Sequence, residues 1–208
     1  AGKYVCDNCA KQLVPFPEPR CRCCGGVVDG ILDSCGECLE SPSRSWHHAV
    51  SVFPYGGYIR DLIHQFKYGG NTALTPYFAE QMTDNWFHYG MRKPDMVVPI
   101  PMHWTRKLHR GYNQAAILSR LISSRMGIPT VQAIRRNKHS KRQAFLDQNQ
   151  RQQNVKDIFC LSDKTKPESQ HILLIDDILT TGATLDMAAR LLISASAGEV
   201  YVLTLARG

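Results

Sequence analysis

Apolar side chains recur with the period of an α-helix in several stretches of the chain. Within residues 58–68, for example, Ile59, Leu62, Ile63 and Phe66 fall on one helical face. Similar stripes occur three more times. Together they predict helices at Tyr58–Tyr68, Leu74–His88, Gln114–Met126 and Thr184–Ala195.

Short apolar runs of the strand type alternate with these helices. They predict strands at His48–Tyr55, Asp95–Pro101, His171–Ile175 and Val200–Leu205. The run at 171–175 is almost continuously apolar, which is typical of a strand that is buried on both faces. Alternation of strands and helices predicts an α/β fold with a parallel sheet and helices on its faces. Such sheets bind ligands beyond the carboxyl ends of their strands.

Seven of the eight cysteines lie in the first forty residues, mostly as C-x-x-C pairs. Cys21, Cys24, Cys35 and Cys38 form two pairs, separated by a ten-residue spacer that contains three glycines. Two such pairs complete the tetrahedral sulfur shell that zinc prefers, and the spacer suits the hairpin of a zinc ribbon. A disulfide cluster is the competing interpretation, but no other feature indicates an oxidising compartment. We therefore expect a zinc-ribbon domain with structural Zn²⁺ at residues 1–45 and a second domain at residues 46–208.

The remaining cysteines leave alternatives open. Cys6 and Cys9 form a third pair, which could replace either of the other two. They could also be half of a second site whose other half preceded Ala1, since the start without methionine suggests a trimmed N-terminus. Cys23 lies within the Cys21–Cys24 pair, so the choice of ligands there is open as well. The isolated Cys160 is expected to be a small buried core residue.

The most informative motif follows the predicted strand at 171–175. Asp176 and Asp177 stand at its end, where two adjacent carboxylates are costly unless they meet hydroxyl groups or a cation. The sequence then turns into a helix through a loop rich in hydroxyl groups, consisting of Thr180, Thr181, Gly182, Ala183 and Thr184. Free backbone N–H groups at a helix N-terminus form an anion site, and a glycine permits close approach of the backbone. An ordinary threonine-capped helix is the alternative, but the full pattern favours a site for a phosphorylated sugar.

Charge is distributed unevenly along the 208 residues, whose formal net charge is +7. No acidic residue occurs between Asp95 and Asp147, whereas ten lysines and arginines do. Such a field attracts polyanions, whether phosphorylated small molecules or nucleic acid, although a solvated basic face would look the same. The nucleic-acid candidates are Arg135, Arg136, Lys138, Lys141 and Arg142. No apolar run is long enough to span a membrane and no secretory signal is present, so we expect a cytoplasmic protein without membrane insertion.

The motif at residues 173–185, LLIDDILTTGATL, resembles the 5-phosphoribosyl-1-pyrophosphate (PRPP) signature of type I phosphoribosyltransferases. Further segments are similar to the ComF/GntX group, as is the zinc ribbon. They include Val98–Pro101, Arg106, Arg110–Ala115, Gln143–Asn154 and Phe159. The resemblance implies a type I phosphoribosyltransferase fold, and it implies a role in natural competence or in the use of DNA as a nutrient. Family members often carry a further C-x-x-C pair upstream, which this chain lacks.

The same resemblance implies roles for individual residues. Asp176 and Asp177 would face the ribose hydroxyls and hold Mg²⁺ together with PRPP, and the loop at 177–184 would wrap the 5′-phosphate. The pyrophosphate of PRPP would be bound by Pro99, Ile100, Pro101, Met102, Arg106 and Arg110. Arginine suits this task, because its planar guanidinium binds phosphate in a bidentate manner.

Three functions remain compatible with the sequence. The first is a PRPP-binding protein that handles imported single-stranded DNA in competence or DNA utilisation, with a DNA-translocation helicase or other competence proteins as partners. The second is a true phosphoribosyltransferase that acts on an unidentified base or nucleotide, although no compelling general base is visible. The third is a structural adaptor attached to such a partner through the ribbon, but the ligand loop argues against it.

Overall fold

A computed structural model describes residues 4–28, 32–40, 44–136, 158–163 and 165–208. The strands are β1 (His48–Pro54), β2 (Met96–Pro99), β3 (Ile134–Arg136), β4 (Phe159–Leu161), β5 (Ile172–Leu179) and β6 (Val200–Arg207). Four of them form one sheet in the order β1-β6-β5-β2, and each neighbouring pair is parallel. The pair β3–β4 is antiparallel and separate. The predicted α/β fold with a parallel sheet is confirmed.

The helices lie between these strands along the chain. They are α1 (Asp7–Ala10), α2 (Gly36–Glu40), α3 (Gly57–Tyr68), α4 (Thr75–His88), α5 (Trp104–Arg110), α6 (Gln114–Met126) and α7 (Ala183–Ser194). Helix α6 has the predicted bounds, because the Asn113 side chain accepts the backbone N–H of Ala115 at its start and Gly127 ends it in the left-handed conformation. None of the described helices is both long and apolar enough to cross a membrane.

Two apolar layers cover the two faces of the sheet. On one face, α3, α4 and α6 bury large side chains such as Phe66, Trp86 and Ile122 against strand residues including Leu173 and Leu203. On the other face, α7 and the β3–β4 pair pack against alternate strand residues, together with Cys21, Cys24 and Trp46. Alternation of this kind follows from the two-residue period of a strand. All four parallel strands therefore direct their carboxyl ends to one edge, at which the predicted site lies.

The cysteine-rich segment (residues 4–28 and 32–40) packs along the edge strand β1. The backbone N–H of Ala49 donates to the carbonyl of Arg22 at 2.8 Å, and that of Phe16 donates to the carbonyl of Val52 at 3.0 Å. Gly25 has a φ of +71°, and a Cβ there would lie 2.3 Å from the backbone nitrogen of Ser51. The contact is close enough to require glycine, and the segment thereby covers a strand edge that would otherwise be unpaired.

The structure differs from the sequence-based expectations at several places, and the short elements α1, α2, β3 and β4 were not predicted. Strand β5 continues to Leu179, beyond the predicted end at Ile175, because Asp176 and Ile178 remain paired with β6. Helix α5 was not predicted, since none of its residues is buried. The expectation for Cys160 was wrong: its side chain lies on an outward position of β4 and is exposed.

Candidate functional site

The acidic pair, Asp176 and Asp177, lies in the last half of β5. The Nζ atom of Lys67, in the last turn of α3, is 3.0 Å from Oδ2 of Asp177. The side chains of this ion pair are 19% and 14% exposed, so both partners are largely removed from water. A buried carboxylate of this kind requires a cation, and Lys67 supplies one.

Asp176 has a different environment from its neighbour. Burial raises the pKa of Asp176 to about 7, and the charge of Asp177 acts in the same direction. The backbone N–H of Asp177 donates to Oδ1 of Asp176 at 2.8 Å, which offsets part of this effect. Near neutral pH the Asp176 carboxyl therefore exists both with and without its proton. A carboxyl with a strongly raised pKa in a cavity marks a candidate functional group.

The first cavity, with a volume of about 150 Å³, opens at the carboxyl ends of β2 and β5. It brings together both aspartates, Thr184 and most of the residues that were expected to bind pyrophosphate. Its lining consists of Lys67, Ile100, Pro101, Met102, His103, Arg106, Arg110, Asn113, Gln114, Ala115, Arg136, Asp176, Asp177 and Thr184. Pro99 is absent from this lining and lies buried in β2. Residues that are far apart in the sequence thus converge on one space.

Four basic side chains line the first cavity, against two carboxylates. Arg136 is held close to Arg106, and burial together with this neighbouring charge lowers the pKa of Arg136. The Nε atom of Arg136 is buried and has no hydrogen-bond partner among the described residues. Two guanidinium charges that line one small cavity repel each other unless an anion neutralises them. The arrangement therefore suits a multiply charged anion.

Arg110 is positioned by an aromatic side chain on α3. Its Nη2 donates to the hydroxyl of Tyr68 at 2.7 Å, and its guanidinium lies 4.5 Å from the centre of the Tyr68 ring. Because cation–π contacts fix the plane of a guanidinium, Arg110 is held in a defined orientation at the cavity rim. Nearby, Tyr112 donates its hydroxyl to the carbonyl of Phe66 and packs against the core.

The threonine loop (Thr180–Thr184) joins β5 to α7. Gly182 is the N-cap of α7, with a φ of +75°. A Cβ at Gly182 would lie 2.9 Å from the Trp46 ring and 3.2 Å from Nη1 of Arg44. The absence of a side chain thus permits these two residues to approach the loop, a reason for glycine that the sequence did not reveal.

Only part of the threonine loop faces the first cavity. Thr184 lines it, whereas Thr180 and Thr181 line a second cavity of about 580 Å³ between the loop and the cysteine-rich segment. Ala183 starts α7 directly after the turn, and its N–H donates to Oγ1 of Thr181 at 3.4 Å. The loop therefore separates the two cavities and presents hydroxyl groups to both.

The four predicted zinc ligands lie together. The sulfur atoms of Cys21, Cys24, Cys35 and Cys38 are all within 4.8 Å of one another, and those of Cys24 and Cys35 are 3.7 Å apart. Tetrahedral coordination with Zn–S bonds of about 2.3 Å gives sulfur–sulfur distances of about 3.8 Å. The group therefore has the composition and the spacing to hold a metal ion such as zinc.

The protonation of these thiols is unequal. A hydrogen bond from the Cys24 thiol lowers the pKa of Cys21 to about 4 and raises that of Cys24. Burial raises the pKa of Cys38 to about 12. Four thiolates this close together would repel one another in the absence of a cation. Metal ligation requires the thiolate form, so a bound metal ion would stabilise all four negative charges.

The other cysteines stay apart from this group. Cys9 accepts a hydrogen bond from the Tyr58 hydroxyl at 3.3 Å, while Cys6 is exposed at the start of α1. The Cys23 sulfur contacts the Ser34 hydroxyl at 3.4 Å. Among the residues that the structure describes, only the quartet of Cys21, Cys24, Cys35 and Cys38 has the closeness that a metal site needs.

The nucleic-acid candidates divide between two environments. Arg135 is exposed and forms an ion pair of 3.4 Å with Asp163, whereas Arg136, the next residue of β3, lines the first cavity. Lys138, Lys141 and Arg142 lie outside the described residues, as do residues 143–154 and the expected linker at 41–43. Sequence reasoning gave Arg136 only a nucleic-acid role and gave Lys67 none.

The environment of Asp176 predicts a pH-dependent effect on stability. Its pKa in the folded protein, about 7, lies above the ordinary value of 3.8, so the folded state binds more protons between these values. The contribution of Asp176 to the free energy of unfolding therefore falls as the pH rises from about 4 to about 7. Asp176→Asn keeps an oxygen for the N–H of Asp177 but carries no charge. We expect it to raise the free energy of unfolding at pH 8 by a few kcal/mol, at about 1.4 kcal/mol per pKa unit.

Urea denaturation at pH 4.5 and pH 8 provides the measurement. The gain from Asp176→Asn should be small at the lower pH and large at the higher one. Asp163→Asn, at a carboxylate that is 87% exposed, is the matched control and should change stability little at either pH. Equal stability of Asp176→Asn and wild type at pH 8 would contradict the assigned environment.

Comparison with known proteins gives concordant results. The model of the phosphoribosyl transferase domain family matches residues 79–208, which is more than half of the chain. Competence protein F of Haemophilus influenzae is 32% identical over 213 residues, an alignment covering 100% of this chain and 92% of that protein. DNA utilization protein YhgH of Escherichia coli is 27% identical, covering 98% and 90%. Competence protein ComFC of Bacillus subtilis is 26% identical, covering 98% and 84%.

The matches cover both the cysteine-rich segment and the parallel sheet. The alignments with the three relatives include the cysteine-rich segment as well as the parallel sheet, since they span at least 98% of the chain. The phosphoribosyl transferase match includes the acidic pair, the threonine loop and the residues that line the first cavity between 100 and 184. The chain therefore belongs to the ComF family, whose members carry a phosphoribosyltransferase-like domain.

Proposed function

We propose that this chain binds PRPP at the first cavity and the adjoining threonine loop, and uses this ligand in the handling of single-stranded DNA during natural competence or DNA utilisation. One observation carries the proposal: the acidic pair, Thr184 of the threonine loop and three arginines line one cavity at the carboxyl edge of the sheet. The names of the relatives, which refer to competence and DNA utilisation, support the biological context.

Each group at this edge suits one part of the ligand. The Asp177 carboxylate and the proton-sharing Asp176 can accept hydrogen bonds from the ribose hydroxyls. The threonine loop and the N-terminus of α7 offer hydroxyl and N–H donors to the 5′-phosphate. Arg106, Arg110 and Arg136 offer guanidinium groups to the pyrophosphate. The same Asp177 carboxylate is paired with Lys67, whose Nζ lies 3.0 Å from its Oδ2.

Mg²⁺ would accompany PRPP, with Asp176 and Asp177 as its protein contacts. The ion would neutralise part of the pyrophosphate charge, which suits a hard cation with oxygen ligands. Zn²⁺ in the cysteine quartet would be structural, because four sulfur ligands leave no open position for catalysis. The boundary between the two domains at residue 45 and a cytoplasmic location stay predictions, as do contacts with a DNA-translocation helicase or other competence proteins.

A true phosphoribosyltransferase activity is the alternative function. Departure of pyrophosphate would leave an oxocarbenium-like centre at ribose C1, which a base or nucleotide would capture. The chain's own part would be positioning and charge stabilisation. Release of pyrophosphate from PRPP, screened with bases, nucleosides and single-stranded DNA, separates the two functions. We expect binding without turnover, and sustained release with any acceptor would favour the enzyme.

Binding of single-stranded DNA is a further expected outcome. Replacing Arg135, Arg136, Lys138, Lys141 and Arg142 with alanine removes five positive charges and should weaken binding strongly, because affinity depends on the number of neutralised phosphates. Binding by the wild type should also fall steeply with salt. Gel retardation of a labelled oligonucleotide gives the measurement.

A control for the DNA experiment removes two positive charges elsewhere. Arg60 and Arg125 lie on α3 and α6, each paired with acidic residues, and their replacement with alanine should have little effect. Equal retardation of the wild type and the five-residue variant would reject the proposed DNA surface. It would not decide PRPP binding, which is proposed from the lining of the first cavity and has its own test.

A further inference from the structure

A short stretch of the chain connects the cysteine-rich segment to the threonine loop. The backbone N–H of Ser45 donates to Oδ1 of Asp186, in the first turn of α7, at 2.8 Å. The indole Nε1 of Trp46 donates to the carbonyl of Cys23, also at 2.8 Å. Residues 44–46 are therefore attached at one side to the helix that follows the loop and at the other side to the backbone of Cys23, which lies between Cys21 and Cys24 of the quartet.

Arg44 lies directly over the turn of the threonine loop. Its Nη1 would be 3.2 Å from a Cβ at Gly182, so the guanidinium occupies the space left by the glycine. The guanidinium carbon is 5.4 Å from the centre of the Trp46 ring, and that ring is buried. Arg44 lines the second cavity together with Thr180 and Thr181. The tryptophan thus holds a cation beside the loop hydroxyls.

The charge of Arg44 is not balanced by a described neighbour. Its guanidinium takes part in no ion pair or hydrogen bond with any residue that the structure describes, although two carboxylates line the same cavity. Glu37 is paired with Arg207, and Glu40 lies beyond ion-pair distance of Arg44. The N-terminus of α7 adds partial positive charge at the same place. A cation and a helix N-terminus side by side favour an anion between them.

We propose that Arg44 is a phosphate-binding residue that the cysteine-rich segment contributes to the threonine loop. The 5′-phosphate of the ligand is then held by both parts of the chain: by the hydroxyl and N–H groups of the loop, and by a guanidinium fixed against Trp46. This inference rests on the proposed function, because it assigns a further contact to the same phosphorylated ligand. The inference also relates the cysteine quartet to the ligand. Trp46 donates to the carbonyl of Cys23, and Cys23 lies between two residues of the quartet, Cys21 and Cys24.

Calorimetric titration with PRPP in the presence of Mg²⁺, and with ribose 5-phosphate, tests the assignment. Arg44→Gln should weaken both ligands by a similar factor of about tenfold or more, because both carry the 5′-phosphate and charged hydrogen bonds are the strong ones. Arg106→Gln should weaken PRPP but not ribose 5-phosphate, which has no pyrophosphate. Arg125→Gln removes the same charge far from either cavity and should change neither affinity.

Arg44→Lys provides a second variant that keeps the charge. Lysine lacks the planar group that lies over Trp46, so we expect an affinity between those of wild type and Arg44→Gln. Thermal melting shows whether each variant remains folded. Wild-type affinity of Arg44→Gln for both ligands, in a protein that requires the acidic pair, would overturn the role of Arg44 alone. Failure of the wild type to bind either ligand would overturn the proposed function itself.

Discussion

Replacing Cys24 with serine is expected to abolish metal binding and to detach the cysteine-rich segment from the sheet. Cys24 is 4% exposed, its sulfur lies 3.7 Å from that of Cys35, and its carbonyl accepts the Ser51 hydroxyl at 3.0 Å. Metal binding by small structural zinc sites is worth roughly 10 kcal/mol or more. The described part of the segment buries few large apolar side chains, so most of its order must depend on the metal.

The metal content of purified protein gives the measurement. We expect one equivalent of zinc in the wild type and none in Cys24→Ser, together with a lower melting temperature. Cys160→Ser is the matched control, because that cysteine is exposed on β4 and lies outside the quartet. A Cys24→Ser protein that still holds one equivalent of zinc would contradict the assignment of the ligands.

Replacing both aspartates of the acidic pair with alanine is expected to abolish PRPP binding. Each carboxylate offers two acceptor oxygens, and hydrogen bonds to charged groups are worth about 1.5–3 kcal/mol. Loss of two such partners corresponds to at least about a hundredfold weaker binding. The replacement also leaves the ammonium of Lys67 without its partner at 3.0 Å, which adds repulsion toward Mg²⁺.

The long helices and the parallel strands could be predicted from the sequence, because their apolar residues recur with the period of a helix or form short continuous runs. The stripe that predicts Gln114–Met126 is the face that α6 packs on the sheet, and its ends carry ordinary caps. Helix α5 has no such stripe: Trp104 and Leu108, its two large apolar residues, are 54% and 75% exposed. A pattern of burial cannot reveal a helix that buries nothing.

The limits of the prediction at β5 have a similar cause. Two charged residues interrupt the apolar run after Ile175, and polarity usually marks the end of a buried strand. The backbone nevertheless stays paired, with Asp176 opposite Thr204 and Leu179 opposite Arg207. Backbone hydrogen bonds between strands can continue past charged residues when the charged side chains are paired. Here Lys67 pairs with Asp177.

The candidate site could be predicted where its residues form one continuous motif. Asp176, Asp177 and the threonine loop are adjacent in the chain and therefore readable from the sequence. Lys67 and Arg44 reach the same edge from distant segments. No local signal distinguishes them from other surface cations, since their role depends on where the sheet brings the loop. The fold was needed to find them.

We propose that the edge of the sheet at Asp176 and Asp177 is a PRPP site. Calorimetric titration of PRPP with Mg²⁺ into wild type and into the variant with Asp176→Ala and Asp177→Ala tests it most directly. A control with Asp61→Ala and Asp84→Ala removes the same charge from exposed positions on α3 and α4. We predict saturable binding to the wild type and the control, and none to the acidic-pair variant. Unchanged affinity in the acidic-pair variant would contradict the account.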